Sequence, residues 1–341
     1  LDTDNRINSW QPPALADPAR YLKLTENPWF NLLVDLQDII TRETAAFWKK
    51  RSIGTVHLPV TTGSISSPNG LGSDSMPVRI QMDGHETYLA DSMQFHLELC
   101  CRMKPQGVYY LMPSFRGEDW DTTHLCQFMH SEVEINGGLH DAMALAESYI
   151  RSLCNAILAE QAEPVLNAAG NLSHLEELAS GKLEFKEITF DKAADLLREK
   201  PGLIQSTKYG RHLTREGERE LIKTIGPFVW VTKWDHGVVP FYQALDKDGH
   251  KALNADLLFG CGEVIGCGER HIDHLATLEA MQAHGINPEL YEWYTNMKQQ
   301  CPKRTAGFGM GVERFLMWVL NHDDIRDLQI LPRRNGFELT P

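Results

Sequence analysis

Gly307-Phe308-Gly309-Met310-Gly311-Val312-Glu313-Arg314-Phe315-Leu316-Met317-Trp318 decides how the rest of this 341-residue chain is read. Glycines at every second position describe a strand with one bare face, left so because something bulky lies against the backbone. From Val312 the apolar period changes: Val312, Phe315, Leu316, Val319 and Leu320 fall at helical spacing. A glycine-lined strand therefore runs straight into a helix, with Arg314 on its first turns. A guanidinium beside a bare strand and a helix N-terminus is a cradle for a polyphosphate. Glycine patterns are weak evidence alone, and a buried strand feeding an ordinary helix with a solvated Glu313-Arg314 pair is the competing reading.

A second constellation lies upstream. Val108 to Glu118 and His124 to Ile135 read as two strands joined by a short polar loop. Alternation puts Arg116 and Glu118 on one face of the first, and Phe128, His130, Glu132 and Glu134 on one face of the second. A cation, an aromatic ring and carboxylates facing one pocket are what an adenylate-forming site requires. The arginine neutralises an α-phosphate under attack, the ring stacks on adenine, and a carboxylate holds an ammonium. A half-exposed sheet face laced with cross-strand ion pairs is the alternative. Further on, Asp256 and Glu263 stand seven apart across a Gly-containing turn, as facing strands would place them. Paired carboxylates facing a triphosphate suit Mg²⁺, which takes one or two carboxylates plus phosphate oxygens; carboxylates at strand ends are also common without any such role.

Composition sets the limits. The length accommodates one large core or two modest ones, and 42% hydrophobic with 23% charged residues is ordinary globular usage. No apolar run approaches the ~20 residues of a membrane span, and no signal-like segment opens the chain, which points to a cytoplasmic protein. Net charge is 33 − 46 = −13, a balance that lowers the expectation of a nucleic-acid partner. Seven cysteines, with Cys100 and Cys101 adjacent, do not suggest a disulfide framework. Cys261, Cys267 and Cys301 lack ligand spacing for zinc and read as small buried residues.

The remaining chain supplies scaffold. Residues 1–27 read as a Pro-containing arm over a body spanning 28–341. Phe30 to Trp48 has helical periodicity, Thr55 to Pro59 is a short strand, and 60–77 is a long loop. Asp91 or Ser92 is placed to cap a helix running through Leu97. Gly138 to Glu160 is an amphipathic helix. Residues 161–225 read as a charged insertion or peripheral subdomain without identifiable chemistry, with helical segments such as Phe190 to Leu197 and Arg215 to Ile225; Phe228 to Thr232 and Pro240 to Tyr242 resume the sheet.

The run Gly307 to Arg314, with Ile325-Arg326-Asp327 and Leu331-Pro332-Arg333, resembles the third signature motif of class II aminoacyl-tRNA synthetases of the aspartate/asparagine/lysine subclass. Phe115-Arg116-Gly117-Glu118 with His124-Leu125-Cys126-Gln127-Phe128 resembles the second motif; the helix, short strand and Pro59 loosely resemble the first, which builds the family's dimer interface. The resemblance spans about residues 30 to 335 and implies an α+β fold, a class II synthetase-like antiparallel sheet flanked by helices, and a homodimer. It implies ATP and Mg²⁺ as cofactors. Arg116 would hold the α-phosphate, Glu118 the adenine, His124 a distal phosphate and Phe128 the adenine ring. Gly309, Gly311 and Arg314 would complete the ATP site, Arg314 on the γ-phosphate. Ser92 and Gln94 match part of a Gln-Ser-x-Gln segment that grips the substrate α-amino group, with Asp91 in place of its first Gln. Glu132 would contact the amino acid, Asp256 and Glu263 the metal, and Arg270 the side-chain carboxylate or amide of aspartate or asparagine.

The same resemblance brings departures. Asp119-Trp120-Asp121-Thr122-Thr123 is acidic where tRNA-charging relatives tend to be basic. An anticodon-binding domain of roughly a hundred residues would precede the catalytic one in this subclass, and only about thirty residues do so here. That short lead and the run Gly262-Glu263-Val264 followed by Gly266-Cys267-Gly268-Glu269-Arg270 resemble archaeal-type asparagine synthetases, which pass an activated aspartyl group to ammonia, while Leu97 replaces a lysine of aspartate-activating relatives. The sequence thus leads to an AMP-forming ligase that activates aspartate, asparagine or an analogue and transfers it to ammonia or a small amine, with tRNA an unlikely partner. A tRNA-charging asparaginyl-type enzyme is the second reading. A non-catalytic nucleotide or amino-acid sensor is the third, and the full set of Arg116, Arg314, Asp256 and Glu263 argues against it.

Overall fold

A computed structural model of the chain describes residues 10–66 and 76–336. Helix α1, Pro28–Lys50, starts where Pro28 presets the first turn and the Asn27 side chain accepts from Trp29 N at 2.9 Å. Its apolar stripe, Leu32, Leu33, Leu36, Ile39, Ile40 and Phe47, is buried against α3, Leu139–Ala169. Between them lie α2, Gln94–Cys101, and the first strands of the main sheet. These are β1 (Gly54–Thr55), β2 (Val108–Phe115) and β3 (Gln127–Ile135). After α3 come β4 (Lys186–Thr189), α4 (Arg215–Ile225), β5 (Val229–Thr232), β6 (Asn254–Phe259) and β7 (Gly262–Glu269). The chain closes with β8 (Ala306–Gly311) and α5 (Val312–Val319).

The strands lie in the order β1-β2-β3-β8-β7-β6-β5-β4. Only the outermost pairs, β1 with β2 and β4 with β5, run parallel; the rest are antiparallel. The α+β class expected from the sequence is the one observed. One sheet face carries α1 and α3, and there Phe308 and Met310 of β8 are buried, Phe308 against Trp48 and Tyr149. Burying each such side chain contributes about 1.5–3 kcal/mol. Alternation then sends Gly307, Gly309 and Gly311 to the opposite face, where the cavity lies.

Several local expectations are corrected. The strand expected over Thr55 to Pro59 is only Gly54–Thr55, and the second hairpin strand begins at Gln127 rather than His124. The helix expected to end at Glu160 continues to Ala169, breaking its helical angles at Gln161 just before Pro164. Pro240 to Tyr242 is irregular, and the chain meets the sheet just after it through a Gln243–Arg270 bridge. Within 161–225, helices Phe190–Leu197 and Arg215–Ile225 form as expected, but the segment is not peripheral: β4 edges the main sheet and α4 lies over β6 and β7. The arm is pinned by Arg20, which donates to Asp327 at 2.9 Å, although its residues 1–9, like 67–75 of the long loop, lie outside the described residues. No helix is long and apolar enough to cross a membrane among the described residues.

Candidate active site

A cavity of about 310 Å³ opens on the glycine face of the sheet. Its lining gathers residues from β3, β6, β7, β8, the start of α2 and the start of α5. Of the expected positions, Ser92, Gln94, Arg116, His124, Phe128, Glu132, Asp256, Glu263, Arg270, Gly309, Gly311 and Arg314 all line it. Glu118 does not. It turns to the end of the long 60–77 loop, where its Oε1 accepts from Met76 N at 2.5 Å.

At one end of the cavity, Arg116 follows directly on β2, its backbone N donating to Cys126 O at 2.7 Å across the loop. Its guanidinium lies 5.3 Å from the centre of the Phe128 ring, and its buried Nε has no hydrogen-bond partner among the described residues. Burial, and then the Arg314 charge, draw its pKa below the usual arginine value. Two arginines crowding one desolvated site, one with an unsatisfied donor, call for an anion. Arg314 is fixed by Nη1 donating to Glu263 O at 2.7 Å and Nη2 meeting His124 Nε2 at 3.2 Å. Burial, helped by Arg314 and Arg215, drives the His124 pKa down to about 4, so the ring is neutral at pH 7. Glu313 is no solvated partner of Arg314. It is buried, accepts from Met129 N at 3.0 Å and from Gln329, and so ties α5 to β3.

The carboxylates meet on the β6–β7 hairpin. Asp256 stands opposite Gly266, and a register shift after Leu257 brings Glu263 to the same face, both oxygens near Gly266. The third carboxylate was not foreseen: Glu218 of α4 accepts from Glu263 N at 3.1 Å. It fills space open only because residue 262 is glycine, at φ 138°, where a Cβ would lie 2.3 Å from Glu218 Oε2. Burial, then Glu263 and Glu218, hold the Asp256 pKa well above the usual carboxylate range. Like charges packed this tightly suit a cation. Among the described residues no set of three or more His, Cys, Asp or Glu is placed to hold a metal by itself.

At the other end of the cavity, Ser92 Oγ donates to Glu132 Oε2 at 2.7 Å, and the Tyr110 hydroxyl donates to the same oxygen. His130 Nδ1 lies 3.0 Å from Glu132 Oε1. Burial opposes ionisation of Glu132, but His130 and these donors outweigh it and keep its pKa below the usual value. Asp91 is occupied elsewhere, accepting from Ser66 and from Ser92 N. Arg270 forms a buried fork with Glu134, Nη2 to Oε2 at 3.1 Å and Nε to Oε1 at 3.3 Å. The Gln94 amide satisfies both ends only with its oxygen toward Arg270 Nε (2.7 Å) and its nitrogen toward the Tyr242 hydroxyl (3.2 Å). Gln94 therefore belongs to the Arg270 cluster rather than beside Ser92 and Glu132. The glycines of β8 make room for these carboxylates: a Cβ at Gly307 would lie 2.1 Å from Glu134 Oε2, and at Gly309 3.0 Å from Glu132 Oε1.

The acidic loop is not a bare patch. Asp119 accepts from Arg334 at 2.9 Å, and Asp121 from Arg215 at 3.0 Å, which largely offsets the expected repulsion of phosphates. Leu97 packs in an apolar cluster with Ala90, Met93 and Tyr110 and offers no charge to a substrate carboxylate.

The family model "tRNA synthetases class II (D, K and N)" matches residues 15–335. The chain belongs to the class II D, K and N tRNA synthetases. Among relatives of this synthetase-family chain, asparagine–tRNA ligase of Psychromonas ingrahamii is 28% identical over 90% of this chain and 71% of its own length. That of Legionella pneumophila strain Corby is 32% identical over 74% of this chain, which spans only 56% of it. Among solved structures, asparaginyl-tRNA synthetase from Pyrococcus horikoshii complexed with asparaginyl-adenylate superposes with a TM-score of 0.82, at 25% identity over 90% of this chain and 69% of that one. Aspartyl-tRNA synthetase from Entamoeba histolytica shares the fold, with a TM-score of 0.75 at 18% identity over 100% of this chain and 64% of that one. The named relatives are AMP-forming ligases.

Proposed function

We propose that this chain condenses asparagine with ATP to asparaginyl-adenylate and passes the acyl group to the terminal hydroxyl of a tRNA. The observation that carries the first half is the pair Arg116 and Arg314, half-buried in one cavity, with the buried Arg116 Nε unsatisfied among the described residues, opposite the Asp256–Glu263–Glu218 cluster. Ser92 and Glu132 hold the substrate ammonium. A carboxylate oxygen of the amino acid attacks the α-phosphorus, and the bond to the β-phosphate breaks. Arg116 neutralises the charge at the α-phosphate, while Arg314 and neutral His124 hold the departing pyrophosphate. Mg²⁺ held by Asp256 and Glu263 would supply charge neutralisation on the phosphates. In the second step the acceptor attacks the acyl carbon, loses its proton, and AMP leaves.

The acceptor assignment rests on the relatives, which are tRNA ligases, and on the internal pairing of Asp119 and Asp121. Transfer to ammonia or a small amine is the second reading, favoured by the net charge of −13. Assembly as a homodimer through α1 and β1 belongs to the same proposal. The test is asparagine-dependent ATP–pyrophosphate exchange, followed by analysis of acylated products with tRNA or ammonia supplied. Exchange absent with both asparagine and aspartate overturns adenylate formation.

A further inference from the structure

Resting on the adenylation reading, we infer that Gln243, a residue no motif singles out, reads the substrate side chain, with Arg270 as the strut that aims it. Every guanidinium nitrogen of Arg270 already faces a protein acceptor. Nε and Nη2 meet Glu134, Nη1 donates to Gln243 Oε1 at 3.0 Å, and Gln94 takes the remaining directions. A bidentate grip on a substrate carboxylate would have to strip Glu134 or Gln94 from it, at the cost of a buried unpaired charge or amide.

Gln243 is built into its position. Its backbone N donates to Pro240 O at 3.1 Å, its backbone O accepts from buried His236, and it bridges Arg270 across the sheet edge. Its side chain occupies space that exists only because residue 268 is glycine: a Cβ there would lie 1.7 Å from Gln243 Oε1. Any other side chain at 268 is therefore incompatible with this placement of Gln243. Arg270 fixes the oxygen end, so the amide orientation follows, and Nε2 makes no hydrogen bond among the described residues while Gln243 lines the cavity. The cavity thus offers one directed N–H donor beside a guanidinium whose charge Glu134 already balances.

Such a subsite fits an α-amino acid whose side chain ends in a neutral hydrogen-bond-accepting oxygen. A carboxylate is disfavoured, because it would join Asp91, Glu132 and Glu134 beside an Arg270 whose charge Glu134 already balances.

The deciding variant is Gln243→Glu, which keeps an acceptor for Arg270 but removes the donor; Gly268→Ser, which displaces Gln243 while leaving the Arg270–Glu134 fork in place, is the second. In asparagine-dependent exchange, Gln243→Glu should raise the asparagine KM about tenfold or more, a site built to hydrogen-bond its substrate losing affinity when the donor goes. The ATP KM should stay unchanged. Gly268→Ser should act in the same direction. An unchanged asparagine KM in Gln243→Glu would show that Gln243 merely props Arg270, and overturns the inference. Calorimetric titration of asparagine into wild type and Gln243→Glu separates the two levels. If wild type binds asparagine without exchange, the adenylation reading fails while a weaker Gln243→Glu still supports the subsite. Binding by neither protein overturns both.

Discussion

Glu218 Oε2 accepts a hydrogen bond from the backbone N of Glu263, joining a helix read as peripheral to the carboxylate hairpin of the site. The contact fixes the end of β7 that presents Glu263, yet it adds a third negative group beside Asp256. Burial and then Glu263 raise the Glu218 pKa to about 7. Removing one charge from the cluster should relieve repulsion where no cation offsets it. Glu263→Gln should therefore raise the melting temperature in EDTA while requiring about tenfold or more Mg²⁺ for pyrophosphate exchange. Asp256→Asn should share the Mg²⁺ defect. Wild-type Mg²⁺ dependence in both variants would make these carboxylates structural.

That contact also shows where sequence reading stops. Arg116, His124, Phe128 and Arg314 were legible because each stands at a fixed offset within a short motif on adjoining strand and helix segments. Glu218 has no such signal. Among Glu216, Glu218 and Glu220 on a charged helix it reads as one more solvated carboxylate, and only the docking of α4 over Gly262 turns it inward. Gln243 lies in an irregular segment whose position depends on the Arg270 bridge, so neither helical nor strand periodicity could place it. The glycines of β8 were legible as a bare face, but what lies against Gly307 is the protein's own Glu134.

Gly307 and Gly311 should therefore respond differently to the same substitution. A Cβ at Gly307 meets Glu134 Oε2 at 2.1 Å and Val133 O at 2.3 Å, whereas at Gly311 the nearest atoms belong to Arg314 at 3.8 Å. Gly307→Ala should cost about 1–3 kcal/mol or more by overpacking. Gly311→Ala should fold with near-wild-type stability and lose ATP affinity instead. Chemical denaturation and ATP titration of the two variants check this, and equal stabilities would refute the packing argument.

Arg116→Ala and Arg314→Ala should each lower the exchange rate by about 10²–10³. Neither removes a core contact, so circular dichroism should match wild type. Near-normal exchange in either folded variant would sink the adenylation chemistry.

Glu313 gives a pH signature. Burial lifts its pKa to about 7, from the ordinary carboxylate value near 4.5. With the folded pKa raised, the folded state binds the extra proton between those values. The resulting stability is fully present below about pH 4.5 and is lost as pH rises through 7, a span on the order of 3 kcal/mol. Glu313→Gln keeps the hydrogen-bonding shape without titrating. The difference in unfolding free energy between Glu313→Gln and wild type should thus grow in the variant's favour from pH 5 to pH 8. A pH-independent difference would mean that Glu313 is ionised throughout.

The acceptor can be decided through the loop between β2 and β3. Asp119 is paired with Arg334 and Asp121 with Arg215, so the loop would meet a phosphate backbone as a set of balanced pairs. Arg334→Ala would release the Asp119 charge without touching the groups assigned to adenylation. If tRNA is the acceptor, this variant should exchange pyrophosphate as wild type does. It should also bind tRNA more weakly, by an amount that shrinks as salt is raised, because a bare carboxylate repels phosphates and an arginine contact is lost. Fluorescence anisotropy at two salt concentrations, with acid-gel detection of asparaginyl-tRNA, measures both terms. Asparaginyl-tRNA from wild type, formed more slowly by Arg334→Ala at low tRNA, establishes transfer to tRNA. No charged tRNA, together with AMP release and an amide product when ammonia or a small amine is supplied, would move the chain to the second reading.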